Sequence, residues 1–306
     1  MGPAKATRAP AGQGAVLWGL LVSKVVAGWG VQWDIQWHVL IGRDSFWIPP
    51  HVMTYAGVAV TVLLSFGLLA WTTFRAPRVL PPGLVSVLGI VGTRGGHIAA
   101  WGIAMTVLAA PIDDLWHRLF GIDVTLWSPP HLLGIFGSAI NTVGCLAIAR
   151  EAYPAGSRAR IAAIVWAGAM LYGGLHFVMQ PTLRLAYLHG GVAFHSYAML
   201  APVLLPLALV AAARLSDRRW APVLAMLVII VTGMVGREIA HAGFAILQPV
   251  SVIGEEIAKD PTSPIAVGQA IARKNGTEPG SSSGALPLIG LLPALVIGAV
   301  DARRRR

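Results

Sequence analysis

The run HVMTYAGVAVTVLLSFGLLAWTTF at residues 51–74 contains no Asp, Glu, Lys or Arg. Its 24 residues exceed the roughly 20 that a helix needs to cross the hydrocarbon core of a bilayer. Seven further apolar blocks, near 14–40, 96–118, 131–150, 158–179, 195–214, 219–247 and 284–300, read the same way. The sequence therefore predicts an all-α, polytopic membrane helix bundle of about eight transmembrane helices. Composition agrees: of 306 residues 56% are hydrophobic and 12% charged, against about 25% charged in soluble chains, which excludes an ordinary soluble enzyme. Residues 80–93 are apolar but short and contain Pro81 and Pro82, as suits a re-entrant or interfacial piece; a ninth span there would break the topology.

Charge supplies the orientation. With eight spans, 15 of the 23 Lys and Arg fall on one side: Lys5, Arg8, Arg75, Arg78, Arg94, Arg150, Arg158, Arg160, Arg214, Arg218, Arg219 and Arg303 to Arg306. The positive-inside rule then makes that side, and both termini, cytoplasmic in a plasma or inner membrane. The formal charge of +10 becomes an orientation signal, so no nucleic-acid partner is expected. Expected organisation is a cytoplasmic tail 1–13, one transmembrane domain 14–300 and a basic cytoplasmic tail 301–306. Within the domain lie hairpins 14–74 and 94–150, then a second half 158–300. That half carries one long outer loop, 249–283, whose Gly/Ser stretch Gly280 to Gly284 suits a flexible segment. Lys24 interrupts the first apolar run and is expected to snorkel toward the cytoplasmic side. The single cysteine, Cys145, excludes a disulfide framework and a thiolate metal site.

The two hairpins repeat one another. The first copy carries Asp34, Trp37, His38, Gly42, Asp44, Trp47, Pro49, Pro50, His51 and Gly57. The second carries Asp113, Trp116, His117, Gly121, Asp123, Trp127, Pro129, Pro130, His131 and Gly137, in the same order. Hydrophobicity alone does not repeat Asp, His, Trp and Pro-Pro-His together. In each copy the Asp and first His are four residues apart, on one helical face about a turn from each other. Pro-Pro opens the next helix, where a missing N–H costs nothing. The second His then stands at a helix N-terminus, whose dipole disfavours imidazolium and keeps a lone pair available.

Each hairpin can thus offer one carboxylate and two imidazoles at the outer interface, a metal site by residue type: Asp34, His38 and His51, and Asp113, His117 and His131. The plain alternative is polar helix ends facing headgroup water, with Trp33, Trp37, Trp47, Trp116 and Trp127 as an interfacial aromatic belt. Asp44 and Asp123 suit carboxylates that accept a ligand's free ring N–H, or equally helix caps. Donor chemistry alone fits copper, non-haem Fe(II), or Zn(II) with a bound water.

The Asp34-x3-His38-x12-His51 pattern resembles the Asp-His-His copper site in the membrane-embedded C subunit of the copper membrane monooxygenases, the family of particulate methane and ammonia monooxygenases. Asp113-x3-His117-x13-His131 is similar to that subunit's neighbouring second site, where the family has Asn and this chain has Asp113. The Trp37-His38 pair, Arg43-Asp44 and a Pro shortly before the last His also fit, and the resemblance spans about residues 30–137. It implies copper on the outer face, O2-dependent oxidation of a small apolar substrate, and other membrane subunits as partners. A homo-oligomer and the lipid bilayer itself are the remaining expected partners.

In the second half, His176 and His189 repeat the spacing of His38 and His51, but Tyr172 stands where Asp is needed and no Pro-Pro precedes His189. With His195, Glu238 and His241 they form either a third polar site or ordinary packing between helices. Glu238 beside Arg237 at membrane depth is costly unless paired. Three functions follow: a copper-dependent membrane monooxygenase, a non-enzymatic copper-binding, sensing or transfer protein, or a structural membrane subunit. No residue identifies the substrate, the electron donor or a catalytic group.

Overall fold

In the computed structural model, residues 12–42, 45–120, 128–189, 192–262, 264–274, 276 and 290–304 are described. The chain runs α1 (Gln13–Leu40), α2 (Pro49–Phe74), β1 (Leu84–Val87), β2 (Ile90–Thr93), α3 (Arg94–Phe120), α4 (Pro129–Ala152), α5 (Arg158–His189) and α6 (Val192–Ser216). It continues with α7 (Ala221–Leu247), α8 (Ile253–Lys259), α9 (Pro264–Lys274) and α10 (Leu291–Arg304). Among the described residues α1, α2, α3, α4 and α7 are long and apolar enough to cross a membrane; Pro202–Ser216 of α6 and Leu291–Val300 of α10 are shorter apolar pieces. These helices fit a multi-pass membrane protein. Their outward faces are apolar as well: Leu63 is 71% exposed and Val231 58%, a surface that lipid accommodates and water does not.

The helices pair as hairpins: α1 packs along α2, α3 along α4 and α5 along α6. Both α2 and α4 start on a proline pair, with Ile48 and Ser128 extended immediately before, as a residue preceding proline must be. Gly57 sets the closeness of the first hairpin, since a Cβ there would lie 2.6 Å from the Ser23 carbonyl oxygen and 2.7 Å from the Ala27 nitrogen. Gly137 does the same in the second, at 2.7 Å from both the Gly102 carbonyl oxygen and the Thr106 nitrogen. Ser23 and Ala27 precede Asp34 by the same 11 and 7 residues by which Gly102 and Thr106 precede Asp113. The repeated residues therefore sit on helix pairs that touch at equivalent points.

Three features depart from the sequence expectation. Residues 84–93 form a two-stranded antiparallel hairpin, Leu84 opposite Thr93 and Val87 opposite Ile90, so the fold is not purely helical. Its turn residues Leu88 and Gly89 both have positive φ, 52° and 80°, as a two-residue hairpin turn matching strand twist requires. Strands of four residues reach about 13 Å, far short of a bilayer crossing. The hairpin seats on α2, where the Thr73 hydroxyl accepts from the Val91 N–H at 2.9 Å, and it covers the buried His97.

The second departure lies in residues 249–283, expected as a flexible outer loop: its described part, within 249–276, includes α8 and α9. It satisfies carbonyls that the last turn of α1 cannot bond within the helix. Ser251 Oγ donates to Leu40 O at 2.6 Å, the Val252 N–H to Ile41 O at 2.8 Å and Gln269 Nε2 to Val39 O at 2.9 Å. Gly280 to Gly284 lie outside the described residues. Third, Lys24 does not snorkel: its ammonium donates to Ser138 O at 2.9 Å and Ser138 Oγ at 3.1 Å, tying α1 to α4. A lysine held this way places two of its three N–H donors on partners inside the bundle.

Candidate metal centre

Asp34 and His38 occupy the C-terminal end of α1, and this end is packed. Trp33 and Trp37 are 8% and 6% exposed and interleave with Phe244 of α7, Trp37 stacking on it at 5.9 Å between ring centroids. For these two indoles the interfacial-belt expectation is corrected: α7 covers them, making them core. Trp47 by contrast is 72% exposed. The tryptophans on either side of Asp34 and His38 thus fix which way the opposite face of α1 points.

On that opposite face Asp34 meets α2. Its Oδ1 lies 3.1 Å from His51 Nε2 and 3.3 Å from His38 Nδ1. All three side chains are about three-quarters buried, and both imidazoles stand within ion-pairing distance of Asp34 Oδ1. His51 Nδ1 is 3.0 Å from the Ser45 carbonyl oxygen. A carbonyl only accepts, so Nδ1 carries a proton; Nε2 then meets the carboxylate as the second N–H of an imidazolium or, in the neutral ring, as a lone pair. Two acceptor atoms 3.1 Å apart repel unless a proton or a metal cation lies between them. Ligands about 2.0–2.2 Å from one metal lie roughly 2.9–3.4 Å from each other at angles of 90–109°. The Asp34–His51 separation falls in that range, and a backbone carbonyl holding the far ring nitrogen is how ligating imidazoles are usually oriented.

His38 is less complete. Its Nδ1 also stands 3.0 Å from the Asp34 carbonyl oxygen, one turn back in α1, so the proton again sits on Nδ1 and the lone pair on Nε2. Closing a third bond beside Asp34 requires this ring to turn. Accordingly, among the described residues no three His, Cys, Asp or Glu side chains already close on one point as a metal cage. Asp34 and His51 are the two of the three candidates at a ligand-like separation, and the His38 ring centroid lies 6.2 Å from that of His51.

The second hairpin reproduces the central pair. Asp113 Oδ1 lies 3.3 Å from His131 Nε2, the same two atom types that meet in the first hairpin. The side chain of His117 lies outside the described residues, as do Asp44 and Asp123. Beside this pair, Asp114 and Arg118 form an exposed ion pair at 2.8 Å.

The second-half residues do not assemble into one site among the described atoms. His176 stacks on the buried Tyr172, rings 14° from parallel with centroids 5.9 Å apart, a packing role. Glu238 and His241 approach to 3.9 Å on α7 and are 75% and 56% exposed, so they face outward from the bundle. The side chains of His189 and His195 lie outside the described residues.

Sequence reasoning missed the Ser45 carbonyl, because a backbone acceptor has no residue signature, and the aromatic wall beside His51. There Tyr55 lies 5.8 Å from the imidazole and 4.9 Å from Phe46, ring centre to ring centre. The i, i+4 spacing of His51 and Tyr55 was the available signal. No family model, curated protein or solved structure matches the chain.

Proposed function

We propose that the protein is an integral membrane copper-binding protein, similar in its site to the C subunit of the copper membrane monooxygenases. In this reading Asp34, His38 and His51 hold one metal ion, and Asp113, His117 and His131 a second. The observation that carries it is the recurrence of one carboxylate–imidazole contact, 3.1 Å in hairpin one and 3.3 Å in hairpin two, on equivalent helix pairs. Bound there, copper would supply O2 chemistry at the rim of the bilayer, where a small apolar substrate can arrive from lipid. The chain's own contribution is narrower. The Ser45 carbonyl keeps His51 in the tautomer whose Nε2 can ligate, buried Trp33 and Trp37 hold α1 in place, and Phe46, Trp47 and Tyr55 provide an apolar approach beside the imidazole. The proposed topology has about eight spans, basic face and termini in the cytoplasm, and both sites outside.

A non-enzymatic role in copper sensing or transfer is the second reading, favoured by His38. Its Nδ1 is engaged with its own helix carbonyl, so uptake of a metal requires a ring movement that also makes release easy.

The deciding experiment is element-resolved metal analysis of the detergent-purified chain after copper loading. Two coppers per chain, falling to one in the Asp34→Ala/His51→Ala variant, support the proposal; an unchanged metal content in that variant overturns it. Oxygen consumption with short hydrocarbons or ammonia then separates the enzyme from the carrier. Because ligation needs neutral imidazole, occupancy should fall as pH drops through the histidine range near about 6.5.

A further inference from the structure

Away from the metal candidates, a groove runs between α4, α5 and α6, with a volume of about 460 Å³. Its walls are aliphatic, Leu146, Leu171, Leu175, Leu204 and Leu207 among them, and its one charged wall residue is Arg150. From Leu204 to Leu215 on α6 the groove extends about 16 Å at 1.5 Å per helical residue. That is a slot for a hydrocarbon chain, wide enough to fall in the range of about 300–1,000 Å³ typical of ligand sites.

The charged end is unusual in its balance. Arg150, near the end of α4, and Arg160, in the first turn of α5, flank the short connection between two helices that pack together. Among the described residues no carboxylate pairs with either. The neighbouring Glu151 is turned to other work: its Oε1 accepts from the Gly95 N–H at 2.9 Å and its Oε2 from Gln13 at 3.0 Å. Two like charges at a membrane surface, with an apolar slot leading away from one of them, are complementary to an amphiphile with an anionic head.

We propose that this groove is a specific site for an anionic phospholipid, one acyl chain lying along α4, α5 and α6 and the phosphate bridging Arg150 and Arg160. The proposal is independent of the metal reading. It belongs to the bundle end that carries the chain's basic residues, where lipid headgroups of the adjoining leaflet sit level with Arg150.

Native mass spectrometry of the full chain tests it, with phosphatidylglycerol and phosphatidylcholine of identical acyl chains as probes. One phosphatidylglycerol should remain bound at activation energies that strip phosphatidylcholine. Arg150→Gln/Arg160→Gln should lower that retention at least about tenfold, the range for two charge-assisted contacts. Leu207→Trp, at a position 58% exposed and so not critical to folding, should fill the slot and displace the lipid with both arginines intact. Arg218→Gln/Arg219→Gln, outside the groove walls, should leave binding unchanged. Equal retention of the two lipids, undiminished binding in either groove variant, or an equal loss in the Arg218/Arg219 variant would each overturn the proposal, the last by reducing it to diffuse surface charge.

Discussion

Hairpins α1–α2 and α3–α4 carry the same chemical residues, yet their surroundings differ. In both, a proline pair opens the second helix, a glycine brings the helices together, and an Asp Oδ1 faces a His Nε2 at 3.1 or 3.3 Å. The first is clamped from outside itself. Phe244 of α7 closes over Trp33 and Trp37, and the 249–276 segment caps the exposed carbonyls of α1. At the equivalent end of α3, Leu115 and Leu119 are 54% and 65% exposed, and Pro111 removes one rung of the helix ladder where α1 has Gln32. Among the described residues, one Asp-His pattern is thus packed beneath α7 and the 249–276 segment, while the helix carrying its repeat ends in exposed leucines. Preorganisation decides how much of a ligand set's potential appears as affinity, because ordering costs are met on folding and not on binding.

The comparison can be broken most directly at the carboxylates. Asp34→Ala should weaken copper binding at its site by more than about 100-fold, beyond the 10–100-fold typical of residues that only support a ligand, as read by competitive titration. Asp113→Ala should abolish a weaker component of the same titration. Two components of equal affinity in the wild-type chain would sink the idea that the clamp matters.

Next come the helix contacts. Gly57→Leu and Gly137→Leu should each destabilise the bundle by about 1–3 kcal/mol through overpacking, seen as a lower midpoint of thermal unfolding in detergent. Because the two glycines meet backbone at matching distances, the two losses should agree. A tolerated Gly137→Leu would show that the second hairpin can open without cost.

A smaller effect should sharpen the asymmetry. Ser251→Ala and Gln269→Ala each remove one hydrogen bond to α1, about 1 kcal/mol. Metal affinity should drop several-fold at the first site and stay constant at the second. Smallest of all, Arg118→Gln breaks an exposed ion pair worth at most about 1 kcal/mol and should leave both sites and stability nearly unchanged.

Much of this was legible in the chain itself. Apolar block lengths locate most of the helices, since lipid permits little else: Pro49–Phe74 encloses the expected 51–74, whereas Arg158–His189 runs ten residues beyond the expected 158–179. The recurrence of Asp, His and Pro-Pro-His locates the chemistry, because i, i+4 spacing and proline at a helix start are local rules. The 84–93 hairpin escaped because apolar content overshadowed its turn, Leu88-Gly89. Lys24 escaped because Ser138 is 114 residues away.

What the sequence by itself determined is therefore the membrane class, the helix positions and the residue types offered at each hairpin end, all set by interactions within about one turn or one bilayer thickness. Only the tertiary structure decided that Asp34 pairs with His51, that the Ser45 carbonyl selects the histidine tautomer, and that one of two similar hairpins is clamped. The first two depend on how the 41–48 connection folds α2 back on α1, and the clamp on α7 and the 249–276 segment reaching across some 200 residues of chain, a range that leaves no periodic trace in a sequence.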